Sequence, residues 1–205
     1  MNNKVWPLIL AVLLMLSGCS HRHKSMMQRL NQPYEDNPTM QERVRKLMGI
    51  TMELPADMQA SKQGKDFLWI SNNAASGMKN VVIYKVKTTE TLPLSVERFC
   101  SLRDSVMQIN LKGASDSMFV TTLKASVEGR FNAKEKLCRY AGLWEMHGDA
   151  MGGQFVSNAY QQPNGQGLII AEGFLYAPET NNKQTLLSQL KTILGSINIK
   201  NNNGK

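Results

Sequence analysis

The chain has 205 residues, 24 Lys plus Arg against 16 Asp plus Glu, and a formal net charge of +8. Hydrophobic residues make up 42%, charged residues 20%, and there are only three cysteines. These figures exclude a disordered acidic chain, a collagen, a disulfide-dense miniprotein and a multi-pass membrane protein, and the length fits one domain with a tether.

Residues 1–18 read as a lipoprotein signal peptide, outside the fold. Lys4 supplies the basic start, and Val5 to Leu16 is apolar except for Pro7. Crossing about 30 Å of hydrocarbon takes about 20 residues, so this run is too short to span a bilayer. Leu16-Ser17-Gly18-Cys19 follows and resembles a bacterial lipobox. That resemblance implies diacylglycerol on the Cys19 thiol, cleavage before Cys19 and acylation of the new amine. Such chains, at about 0.8 kcal/mol per buried methylene, hold a protein to a membrane surface. This covalent lipid on Cys19 is the one non-protein group expected; no cofactor and no metal are. Ser20 stands where many inner-membrane lipoproteins carry Asp. The basic His21-Arg22-His23-Lys24 stands where some surface-exported ones carry acids. By similarity to those sorting patterns, the outer membrane is expected, with the protein facing the periplasm.

Residues 19–37 read as a lipidated flexible tether, with breakers at Asn31-Gln32-Pro33 and Asp36-Asn37-Pro38. The fold is expected over 38–199, and 200–205 as a disordered tail. Between Pro38 and Ile197 there are 18 basic and 14 acidic residues without runs. That mild excess fits solubility, or weak attraction to acidic head groups or glycans, and gives no nucleic-acid footprint.

Thr39 to Met48 reads as a short helix, with Thr39 as N-cap and Glu42 three residues on. Gly49 to Pro55, Phe67 to Ile70 and Asn80 to Lys87 read as strands. Leu94 to Leu111 reads as a helix whose Phe99, Leu102, Val106 and Ile109 share a stripe, ended by Gly113. From Phe119, alternation predicts Phe119, Thr121, Leu123, Ala125 and Val127 on one strand face. Lys136 to His147 places Cys138, Tyr140, Trp144 and Met146 together. Strands follow at Gln154 to Gln161 and Leu168 to Tyr176, joined by a turn at Asn164-Gly165. Leu186, Leu187, Leu190, Ile193, Leu194 and Ile197 then trace a docked amphipathic helix. The fold class is α+β, an antiparallel sheet covered by helices. Cys100 and Cys138 either pair as a disulfide or stay as buried thiols.

The stretch from Gly142 to Ser157, with Glu172-Gly173-Phe174-Leu175-Tyr176-Ala177-Pro178 and the last helix, resembles a Bacteroides-type lipoprotein family of unknown function, domain of unknown function 4837. The likeness is strong over the C-terminal third. It implies longer members with two related halves, of which this chain holds one, and it brings no catalytic residues. The element order, with its Gly-Ile opening at Gly49 and Ile-Leu-x-Ser-Ile ending at Ile193 to Ile197, is also similar to the PsbP/Mog-like fold. Proteins of that fold are mostly binding and assembly factors.

No nucleophile sits beside a base in the sequence, so no catalytic residue is named. His147, the one histidine of the expected fold, lies near Glu145 and Asp149, but no second His accompanies it at metal spacing. Gly148 to Gly153 joins strand to strand, where glycine serves a turn or bulge better than a phosphate cradle. Its residues His147, Asp149 and Met151 are the candidate partner-binding loop. Met107, Met118, Met146 and Met151 fill a core or line an adaptable groove. The expected function is a non-enzymatic binding or assembly module for another envelope component, with an envelope protein as the expected partner, and with an envelope hydrolase or a lipid- or glycan-binding lipoprotein as the alternatives. A deep polar cleft holding His147 with carboxylates would favour the enzyme, a closed apolar cavity the lipid binder, and a flat apolar patch the protein binder, since large patches mark interaction sites.

Overall fold

The structure is a computed structural model and describes residues 35–163 and 165–199. The expected signal peptide, Cys19, nearly all of the expected tether and the expected tail at 200–205 lie outside the described residues. Helix α1 (Pro38–Met48) is capped by Asn37, whose side chain accepts from the Met40 N–H at 3.1 Å, with Pro38 at the first helical position. The cap therefore stands two residues before Thr39. Glu42 closes no capping box and instead accepts from Arg45 at 2.6 Å. The helix ends on Gly49 at φ 69°, a conformation that favours glycine.

The expected strand at Gly49 to Pro55 does not form. Thr51 bridges Asn198 and Asp36 bridges Pro55, but no ladder develops. Ile50, Met52 and Leu54 are buried nonetheless, in the same core cluster as α1. Strand β1 (Ala60–Gly64), polar and unanticipated, takes the edge position. It is followed by β2 (Phe67–Ser71), β3 (Met78–Val86), helix α2 (Val96–Asn110), β4 (Phe119–Asn132), β5 (Leu137–His147), β6 (Gly152–Gln161), β7 (Leu168–Tyr176) and helix α3 (Lys183–Gly195).

The strands form one antiparallel sheet in the order β1-β2-β3-β7-β6-β5-β4. Helices α1 and α3 cover one face and α2 the other. The fold is α+β, as its alternating and helical patterns predict. The central strands β3 and β7 are buried on both faces, so Val81 to Tyr84 and Leu168 to Ala171 read as continuous apolar runs. On β7, Ile169, Ala171 and Leu175 meet α1 and α3, while Leu168, Ile170 and Phe174 meet the α2 side.

Two expectations about faces are corrected. Helix α2 buries Phe99, Cys100, Arg103 and Met107, and Ile109 is 73% exposed. The true stripe is rotated from the expected one because an arginine belongs to it. On β4, the buried residues are Val120 and Thr122, not Phe119 and Thr121. Between Leu123 and Glu128 the register shifts, five steps on β4 facing two on β5. An odd excess turns the strand over. Gly129 and Phe131 then share the face of Tyr140 and Cys138, which β5 turns toward α2. Cys100 and Cys138 are both free, buried in the α2-side core, so no disulfide joins them.

Candidate functional site

The distinctive stretch from Gly142 to Ser157 is the β5–β6 hairpin. Its backbone closes through the Met146 N–H donating to the Met151 carbonyl at 2.8 Å. Gly148 turns the chain at φ 84°. Gly152 and Gly153 have another reason. A Cβ on Gly153 would overlap the Leu175 carbonyl oxygen, and one on Gly152 would stand 2.8 Å from the Trp144 carbonyl oxygen. This close approach lets the Trp144 indole N–H donate across β6 to the Leu175 carbonyl at 3.1 Å. Trp144 also meets the Phe174 ring edge-on at 5.3 Å. The hairpin is thereby pinned to β7.

The expected loop residues fall in different surroundings. His147 is exposed and stacks on Phe119, its cross-strand partner, with ring centroids 5.0 Å apart. Asp149 folds back on its own turn, accepting from the Ala150 N–H at 2.6 Å. Met151 is half-buried and packs against the α2-side core. Met107 is fully buried there, so core filling describes it, and Met146 is partly buried in the same cluster. Among the described residues no group of three His, Cys, Asp or Glu side chains could hold a metal ion.

What the hairpin borders is more informative. Helices α1 and α3 pack on β2, β3, β7 and β6, and among the described residues no helix packs on β5 and β4 on that face. The outward residues of these two strands pair as Phe119 with His147, Thr121 with Glu145, and Leu123 with Leu143. Leu123 and Leu143 are 38% and 39% exposed, side by side. A shallow open pocket of about 280 Å³ lies over them, bounded by Glu145, Asp149, Ala150 and Met151. Single exposed leucines are ordinary on a protein surface; here two stand paired at the bottom of one recess. Sequence reasoning found the rim of this recess and missed its floor. Leu123 was assigned to a face with the right parity, but nothing in the pattern told which half of the sheet the helices leave bare.

A second cluster, also missed, lies beneath α2. Arg103 is fully buried and donates from Nε to Glu172 Oε2 at 2.9 Å and from Nη2 to Glu172 Oε1 at 2.7 Å. Its Nη1 donates to Thr122 Oγ1 at 2.8 Å, and the guanidinium lies 4.5 Å from the centre of the Phe155 ring. Burial pushes the Glu172 carboxyl up, and Arg103 opposes that push. The Tyr84 hydroxyl, raised well above the ordinary tyrosine range by burial and by the Glu172 charge, is buried with no hydrogen-bond partner among the described residues. The next residue of β7, Gly173, faces the other way, and a Cβ there would stand 2.9 Å from Leu190 Cβ on α3. Glu172-Gly173 thus fixes a helix on each face. With both of its charges satisfied inside the protein and sealed from solvent, the Arg103–Glu172 pair is a structural tie.

No helix among the described residues is long and apolar enough to cross a membrane. No curated protein matches the chain. The likeness first visible in the C-terminal third extends over nearly the whole fold: residues 37–196 match the model of DUF4837, a domain of unknown function. The chain belongs to the DUF4837 family.

Proposed function

We propose that this chain is a lipid-anchored lipoprotein of the cell envelope that works as a non-enzymatic binding or assembly module for another envelope protein. The anchor is Cys19, with its membrane the outer membrane and the fold facing the periplasm. The support for that part is the leader itself: Lys4, the apolar run to Leu16, the lipobox-like Leu16-Ser17-Gly18-Cys19, and Ser20 with the basic residues after it. A Bacteroides-type source and a PsbP/Mog-like relationship belong to the same reading, the latter through the element order. That fold's usual role in binding and assembly agrees with it.

The observation that carries the binding role is the β4–β5 face, which no helix among the described residues covers. Leu123 and Leu143 form an apolar floor in an open recess, beside an exposed histidine and two carboxylates. A recess of this shape fits a protein segment better than a lipid chain, which needs enclosure, or a hydrolytic substrate, which needs groups held about it in reacting geometry. A photo-crosslinking amino acid at position 143 tests the role in intact cells, with position 53 as the control. The reading expects a discrete adduct from position 143 alone. Equal labelling from both positions, or none from either, would overturn it.

A further inference from the structure

We propose that the β4–β5 recess takes a cationic apolar peptide segment, one lysine or arginine seated between Glu145 and Asp149 with its apolar neighbour on Leu123 and Leu143. This rests on the reading of that face as the binding site and names its partner's chemistry. The pocket is bounded by two carboxylates and by no basic side chain. Among the described residues neither Glu145 nor Asp149 is in an ion pair. Four other surface acids, Glu42, Glu90, Asp116 and Glu135, each hold a Lys or Arg of this chain. The charged groups at the rim of the recess are both carboxylates, and its floor is aliphatic. A lysine or arginine side chain matches both, since its methylene stem lies on apolar surface while its head reaches the carboxylates. A second copy of this chain fits less well. A two-fold contact through this face would set Glu145 and Asp149 against their own equivalents, and like charges repel.

The test uses the intact chain in detergent, with leucine and methionine methyls labelled for NMR. Three blocked peptides serve as probes, Gly-Leu-X-Leu-Gly with X as Lys, Gln or Glu. The lysine peptide is expected to shift the Leu123, Leu143 and Met151 methyls saturably. The glutamine peptide should bind about tenfold more weakly and the glutamate peptide not at all. In the Glu145→Gln, Asp149→Asn double variant, lysine and glutamine peptides should bind alike. Asn keeps the turn, because its side-chain oxygen still accepts from the Ala150 N–H, and unchanged Leu190 and Met107 methyls report an intact core. Equal binding of lysine and glutamine peptides to the unaltered chain would overturn the cationic partner and leave the binding face standing. Shifts at the same methyls on raising protein concentration without peptide would assign the face to a second copy and overturn the proposal. No shift with any peptide at millimolar concentration would also overturn it; the crosslink from position 143 then decides separately whether the face binds at all.

Discussion

Arg103 and Glu172 meet in a place without water, so what matters is what each would do alone. A bidentate pair satisfies both charges, whereas removing one partner strands the other, at a cost of about 3–5 kcal/mol. Arg103→Met should therefore lower the unfolding free energy by about that amount in urea titration. The double variant Arg103→Met, Glu172→Leu should recover most of it; a double variant as unstable as the single one would show that the pair does more than neutralise itself. Tyr84, close by, predicts the opposite sign. Its hydroxyl is buried without a partner among the described residues, and such a group costs about 1–3 kcal/mol. Tyr84→Phe should thus raise stability at neutral pH, by about 1 kcal/mol. Burial holds the folded-state pKa well above the usual tyrosine value. The unfolded chain releases this proton as pH passes about 10, while the folded state keeps it. The stability contributed is complete below that pH and is lost as pH climbs beyond it. Tyr84→Phe should flatten that alkaline loss, and an unchanged slope between about pH 9 and 11 would count against the assignment.

At the scale of elements, α3 is held by one close fit. Gly173 lets Leu190 approach the sheet, and Leu190 is fully buried. Leu190→Ala should cost about 2–5 kcal/mol, and Leu190→Asp should abolish cooperative thermal unfolding by burying an unpaired charge. An unaltered melting temperature in Leu190→Asp would show that the helix is not part of the core. This helix was legible in the sequence because its apolar residues recur at helical spacing and nothing polar interrupts them. The faces of β5 were legible for the same reason. Helix α2 was misread by one stripe, because the pattern counts Arg103 as polar and passes to Ile109, which the structure leaves in solvent. Strand β1 was illegible because an edge strand made of Ala60, Ser61, Lys62, Gln63 and Gly64 has no buried face to alternate with. The segment after Gly49 misled in the other direction, since alternating burial requires only packing, not a ladder. On β4 the alternation breaks at Ser126, whose hydroxyl donates to the Leu123 carbonyl at 2.7 Å and accepts from the Leu143 N–H at 2.8 Å. That side chain stands in for a ladder partner. With Lys124, Glu128 and Arg130 nearby, the bulge also blunts the long free edge of β4 against pairing with other chains.

For the whole molecule, the proposed reading gives the leader the role of anchor and the β4–β5 face the role of contact. Cys19→Ala removes the first. It should leave the protein uncleaved or soluble on fractionation, because no described helix can take over as an anchor; a processed Cys19→Ala protein still requiring detergent would contradict the lipoprotein reading. The second part rests on an asymmetry. Among the described residues, helices cover both faces over β2, β3, β7 and β6, whereas over the outer strands β5 and β4 only α2 packs. The recess was half legible in the sequence. Its rim stood out as a glycine-framed hairpin, but its floor depended on which strands the helices leave bare, a matter of tertiary packing. The most direct measurement is a paired one on the Leu123→Ser, Leu143→Ser double variant, comparing its thermal melt with its yield of the partner that crosslinks from position 143 in the unaltered chain. Both leucines are part-exposed, so each change should move stability by no more than about 0.5 kcal/mol. The account predicts a near-unchanged melt with the partner lost. A near-unchanged melt with the same partner still recovered in full would contradict it.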